Sequence, residues 1–174
     1  MEKVLLLHSS TEGQTIKILH YIEEELRDSC ECELQDLHSL SAVDFSQYDR
    51  VLIGASIRYG HLNKKLYQFI AQNQQQLEQC KVGFFCVNLT ARKEGKNTPE
   101  TSVYMQKFLQ KSLWQPKLLA VFAGALRYPR YNWFDRTMIK FIMKMTGGET
   151  DTTKEVEYTD WDKVSHFAAQ FKRF

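Results

Sequence analysis

Between residues 9 and 15 the chain reads Ser9-Ser10-Thr11-Glu12-Gly13-Gln14-Thr15, which sets four hydroxyl side chains around one glycine. Residues of these types could hold an anion. Hydroxyls donate hydrogen bonds, Gly13 lets backbone come close, and a helix starting here would aim its free N–H groups and the positive end of its dipole at one point. A phosphate is the natural guest. The stretch lacks the Gly-Lys-Ser/Thr ending that serves a nucleoside triphosphate and the Gly-x-Gly-x-x-Gly that serves a dinucleotide. No Lys or Arg falls within it. Ordinary capping of the helix by Ser and Thr is the plainer alternative.

A loop that holds phosphate by hydroxyls and amides alone, just after an opening strand, resembles the phosphate loop of flavodoxin-like FMN proteins. Two later stretches carry groups that a flavin ring could use: Ser56-Ile57-Arg58-Tyr59-Gly60-His61 and Asn88-Leu89-Thr90-Ala91-Arg92-Lys93. Tyr59 could stack on the ring, Gly60 lets backbone reach its edge, and Arg58 or Arg92 could stabilise negative charge on a reduced flavin. Solvated arginines and a structural tyrosine are the bland reading of the same residues. No Ser-His-Asp or Cys-His order and no paired-carboxylate motif is visible, so hydrolysis has no carrier. Cys30, Cys32, Cys80 and Cys86 have no zinc-like spacing and read as free thiols, with Cys86 a small core residue.

The elements that must position these residues follow from the apolar pattern. Val4-Leu5-Leu6-Leu7 is an apolar run too short for a helix, and it suits a strand buried on both faces of a parallel sheet. Ile18, Leu19, Ile22 and Leu26 recur at helical spacing. Cys32 to Leu37 alternates like an edge strand, and Arg50 to Ala55 and Val82 to Leu89 read as buried strands. A helix is expected over 64–77, another starting at Thr98-Pro99-Glu100, a fifth strand over 118–125, and a last helix from Thr159 or Asp160. The expectation is therefore an α/β, flavodoxin-like, doubly wound sheet of five parallel strands in the order 2-1-3-4-5, with a long helical insertion over about 126–158 after strand 5. In that order, ligands bind beyond the carboxyl ends of the strands, where strands 1 and 3 diverge.

With 174 residues, 43% of them hydrophobic and 25% charged, the chain is expected to form one domain over 1–174. A net charge of +2 is too small a bias to suggest a nucleic-acid partner. Met1-Glu2-Lys3 enters the first strand at once, and no apolar run is long enough to cross a bilayer. The expectations are no signal peptide and no transmembrane segment.

Four segments carry a closer resemblance: residues 54–61, residues 88–93, Ala123-Gly124-Ala125-Leu126-Arg127-Tyr128-Pro129-Arg130-Tyr131, and Met143-Lys144-Met145-Thr146-Gly147-Gly148-Glu149-Thr150-Asp151-Thr152. Together they resemble the flavodoxin-type, quinone-dependent protoporphyrinogen IX dehydrogenases of bacterial haem synthesis, nearly from end to end. The resemblance implies FMN as cofactor, protoporphyrinogen IX as substrate, and menaquinone or ubiquinone as acceptor. It also places the FMN contacts in Ser9, Ser10, Thr11, Glu12, Gly13, Gln14 and Thr15, in Ser56, Ile57, Arg58, Tyr59 and Gly60, and in Asn88, Leu89, Thr90, Ala91 and Arg92. Arg58, Arg92, Arg127 and Arg130 are then the candidates for the substrate's propionates, because a guanidinium can give a carboxylate two parallel hydrogen bonds. No catalytic side chain is singled out. Ser10, Thr11 and Glu12 stand where the family pattern has Thr, Arg and Asp, so Glu12 is expected to point away from the phosphate.

Within the insertion, Trp133, Phe134, Met138, Phe141, Ile142 and Met145 fall at helical spacing, with Arg136, Lys140 and Lys144 in a row four residues apart. Packing on the domain's own core is one reading of such a stripe. A helix lying in the membrane surface is the other, and it is the one expected here, since an acceptor dissolved in the bilayer must be met there. The location expected is thus the cytoplasmic side of the inner membrane, peripherally bound. A flavodoxin-type electron carrier, a soluble quinone reductase and a flavin-free regulatory domain are the competing readings.

Overall fold

A computed structural model describes residues 1–10 and 12–174. Thr11, one of the expected phosphate contacts, lies outside the described residues.

Strands β1 (Glu2–Ser9), β2 (Cys30–Asp36), β3 (Arg50–Ser56), β4 (Lys81–Asn88) and β5 (Leu118–Ala123) form one parallel sheet in the order β2-β1-β3-β4-β5. The order is the one expected, and it follows from burial. Val4 to Leu7 of β1 and Val51 to Ile53 of β3 are fully buried, as strands covered on both faces must be. Alternate residues of β1 serve opposite layers. Leu5 and Leu7 pack beneath α2 (Lys64–Gln72), α3 (Gln74–Gln79) and α4 (Val103–Lys111), while Val4 and Leu6 pack beneath α1 (Gln14–Leu26) and α6 (Trp161–Arg173).

The helix expected over 64–77 is two helices that meet at Asn73. The Asn73 side chain donates to the Phe69 carbonyl at 2.8 Å and competes with the helical ladder there. The helix expected from Thr98 starts later. Thr98 and Thr101 close a hydroxyl-bonded turn, and Ser102 caps α4 by accepting from the Met105 N–H at 3.3 Å.

The fifth strand stops at Ala123, short of the expected Ala125. After Gly124, residues Ala125–Arg127 (β6) leave the sheet and pair antiparallel with Glu155–Glu157 (β7), Leu126 opposite Val156. This ribbon anchors the insertion. Between its two strands lie a helical turn over Tyr128–Arg130 and helix α5 (Trp133–Met145), capped by Asn132, which accepts from the Asp135 N–H at 2.8 Å. Leu126, Tyr128, Tyr131 and Met143 make a small core of their own beneath α5, joined to the sheet through Leu89 and Tyr158.

Candidate functional site

The turn between β1 and α1 is shaped by Gly13, whose φ of 84° is open to glycine at little cost. Gly13 occupies the N-cap, and no side chain caps α1. Among the described residues no hydroxyl caps this helix, and its first-turn N–H groups lack intrahelical acceptors. Thr15 is fully buried, and its Oγ1 has no partner among the described residues. The same holds for the buried Ser10 Oγ and for Nη1 of Arg127. Buried donors are rarely left unpaired, so the two that belong to one cavity wall, on Ser10 and Thr15, fit an anionic guest. Ser9 is spoken for, at 2.8 Å from Nε2 of His38.

These donors face a cavity of about 110 Å³ at the carboxyl ends of β1, β3 and β4. Of the expected cofactor residues, Ser10, Glu12, Gln14, Thr15, Ser56, Ile57, Arg58, Tyr59, Asn88 and Leu89 line it. Gly60 faces neighbouring grooves instead. Asn88 also shapes the loop that follows it, where its Oδ1 accepts from the Ala91 N–H at 2.8 Å.

The turn after β3 is tight. Arg58 and His61 exchange backbone hydrogen bonds of 2.9 and 3.1 Å across Tyr59 and Gly60, both at positive φ, 50° and 77°. A tyrosine in that region is strained, and such strain persists where the surroundings impose it, often at ligand sites. The Tyr59 ring is left 43% exposed beside the cavity.

Several wall residues were not anticipated: Tyr131, Asp135 and Ile139 from the insertion, and Gly124 and Ala125 at its start. Asp135 holds Arg58 in an ion pair of 2.8 Å. The Tyr131 hydroxyl accepts from the Arg127 N–H at 3.0 Å and donates to Glu12 at 3.2 Å. Glu12 therefore stands on the cavity wall rather than pointing away. Desolvation raises its acid above the usual carboxylate range, opposed by the Tyr131 hydrogen bond and by Arg58 and Arg127. Burial pushes the Tyr131 phenol up to about 12, so it stays protonated and keeps donating.

The four arginines scatter. Arg58 sits at the mouth on Asp135, and Arg127 donates to Oε1 of Gln14 at 2.5 Å, beside the phosphate turn. Arg92 turns behind the cavity to the Leu89 carbonyl (2.8 Å) and to Oγ1 of Thr146 (2.9 Å), tying the end of α5 to the loop after β4. Arg130 is paired with Glu155 at 2.8 Å, outside the cavity.

Helix α5 leaves its apolar stripe uncovered. Trp133 is 77% exposed and Met145 72%, with Phe134, Met138, Phe141 and Ile142 also in solvent, while the inward side carries Asp135, Ile139 and Met143. Of the expected basic row, Lys140 and Lys144 are exposed. Arg136 is half-buried and donates to the Tyr131 carbonyl at 3.2 Å. Among the described residues no helix is long and apolar enough to cross a membrane.

A parallel sheet in this order is the flavodoxin arrangement, and the flavodoxin domain family model matches residues 5–153. Oxidised flavodoxin 1 from Bacillus cereus has the same fold, with a TM-score of 0.56 at 18% identity over 98% of this chain and 97% of that one. Two curated relatives are nearer in sequence. One from Escherichia coli K12 is 48% identical over 97% of this chain and 93% of its own length, and one from Leishmania major is 49% identical over 97% and 74%. Both are named protoporphyrinogen IX dehydrogenase (quinone). The chain belongs to this flavodoxin-type dehydrogenase family.

Proposed function

We propose that the protein oxidises protoporphyrinogen IX to protoporphyrin IX with FMN as its cofactor and passes the electrons to a membrane quinone, menaquinone or ubiquinone. The observation that carries this reading is the family membership: an identity of 48% over 169 of 174 residues takes in the insertion as well as the sheet. Bound FMN would supply the reversible redox chemistry that links the two substrates.

The chain's own residues supply binding and placement. Ser10, Thr15 and the first N–H groups of α1 donate to the phosphate, and Arg127 adds the positive charge that the turn lacks. A cavity of about 110 Å³ is smaller than the ~300–1,000 Å³ of sites that enclose a small ligand, so it takes the phosphate end. The Tyr59–Gly60 turn would hold the ring, and α5 borders the cavity through Asp135 and Ile139. Oxidation of a flexible apolar macrocycle asks mainly for placement against the ring, not for a strong base.

The exposed stripe of α5 supports docking at the inner leaflet of the membrane. It presents six large apolar side chains beside Lys140 and Lys144, and each lysine near an anionic surface contributes roughly 1 kcal/mol. Quinone and porphyrinogen then reach the same face. The test is anaerobic turnover with a soluble naphthoquinone and substrate in large excess over enzyme, read by porphyrin fluorescence: fluorescence should keep growing beyond what the bound flavin alone can oxidise only when both FMN and quinone are present. Formation at equal rates without FMN would overturn the proposal.

A further inference from the structure

The substrate has two propionates on adjacent rings of one edge, and each of the four arginines that could meet them already has a protein partner. Arg92 and Arg127 hold protein groups inside the fold, Arg130 is on Glu155, and Arg58 would have to release Asp135. A different pair of cations stands next to the site. Between the turn after β3 and helix α4 lies a groove of about 310 Å³, lined by Ile57, Gly60, Leu62, Tyr67, Tyr104 and, on one wall, Lys107 and Lys111. Ile57 belongs to the walls of both spaces, so the groove adjoins the candidate flavin cavity.

Its floor and rim differ in chemistry. Leu62 is buried, and the half-buried rings of Tyr67 and Tyr104 offer flat apolar surface. Lys107 and Lys111 are four residues apart on α4, which places them side by side at roughly 6 Å between Cβ atoms. Among the described residues neither has an acid within ion-pair distance, and the Lys111 ammonium stands 4.3 Å from the Tyr67 ring centroid, which holds it at the groove.

We propose that this groove docks the carboxylate edge of the macrocycle, with Lys107 and Lys111 each meeting one propionate and Tyr67 and Tyr104 supporting the adjoining pyrroles. The inference rests on the substrate reading above. Two like charges at this spacing repel one another, and a pair of carboxylates relieves that repulsion, whereas a neutral ring edge would not. The substrate's reactive carbons then lie toward Ile57 and Gly60.

The test compares protoporphyrin IX with its dimethyl ester, since the two differ only in the charge of the propionates. Both are titrated by absorbance against wild type, Lys107→Gln/Lys111→Gln and Lys107→Glu/Lys111→Glu, all loaded with FMN. Lys81→Glu/Lys117→Glu, at the opposite end of the sheet, controls for net charge. Removing the pair should weaken the diacid about ten- to a hundredfold, reversal should weaken it further, and the ester should bind all proteins alike. KM for protoporphyrinogen IX should follow the same ranking. Diacid affinity unchanged in the glutamine variant, or an equal loss in the control, would overturn the proposal. Failure of wild type itself to oxidise the porphyrinogen would instead overturn the functional reading on which it rests.

Discussion

Arg58 of the turn after β3 and Asp135 in the first turn of α5 are ion-paired at 2.8 Å across the mouth of the cavity, so the insertion is fastened to the loop that borders the candidate flavin site. Asp135 is the more buried partner, with a side chain 14% exposed against 45% for Arg58. An ion pair with one partner this exposed contributes little to stability, typically under about 1 kcal/mol. Asp135→Asn should therefore leave the melting temperature within a few degrees of wild type. It should, however, speed FMN release several-fold by loosening α5, measured by stopped-flow fluorescence. An unchanged release rate would mean that the pair does not hold the cavity closed.

Thr15→Ala removes a buried hydroxyl that has no partner among the described residues. A charge-assisted hydrogen bond to phosphate is worth about 1.5–3 kcal/mol, so FMN affinity should fall roughly ten- to a hundredfold. The apoprotein should melt no lower, because the folded chain loses no hydrogen bond of its own. Equal FMN affinity in titrations of variant and wild type would place the phosphate elsewhere.

Glu12 makes binding depend on pH in a particular direction. Its acid titrates above the ordinary range because the cavity wall desolvates it, and a phosphate nearby would raise it further. The neutral, non-repelling form thus exists at low pH and is lost as pH rises through that raised value. Glu12→Gln should bind FMN about tenfold tighter than wild type at pH 8, equivalent to about 1.4 kcal/mol. The ratio of the two affinities should approach one as pH falls below the raised value of Glu12. Taking the ratio cancels the phosphate's own titration. A ratio independent of pH would show that the Glu12 carboxylate does not sense the ligand.

The sheet was legible because burial on both faces leaves unbroken apolar runs, as in Val4 to Leu7. The breaks at Asn73 and before Val103 were not, since each depends on whether a short polar side chain bonds its own backbone. The roles of Tyr131 and Asp135 were hidden for another reason. They reach the cavity only because β6 leaves the sheet after Gly124 and brings the insertion back over it, a long-range arrangement that no local pattern encodes. The inward turn of Arg136 escaped the helical-row argument in the same way.

The exposed stripe of α5 predicts lipid binding that survives subtle changes to the cavity. Trp133→Ser/Phe134→Ser/Phe141→Ser removes three side chains that are 77%, 59% and 59% exposed, so folding and FMN binding should be untouched. Sedimentation with anionic vesicles should fall sharply, and wild-type binding should weaken with salt. Wild type that ignores vesicles, or a triple variant that binds them as well, would contradict the membrane assignment.

FMN held by this chain should take electrons directly from protoporphyrinogen IX. The direct measurement is anaerobic: load the protein with FMN, remove free flavin, mix with protoporphyrinogen IX in the absence of any quinone, and follow the visible spectrum. The oxidised flavin band should bleach, with at most one porphyrin formed per three flavins reduced because the oxidation removes six electrons and each FMN takes two, and a quinone added afterwards should restore the band. A flavin band that persists beside intact porphyrinogen would contradict the account.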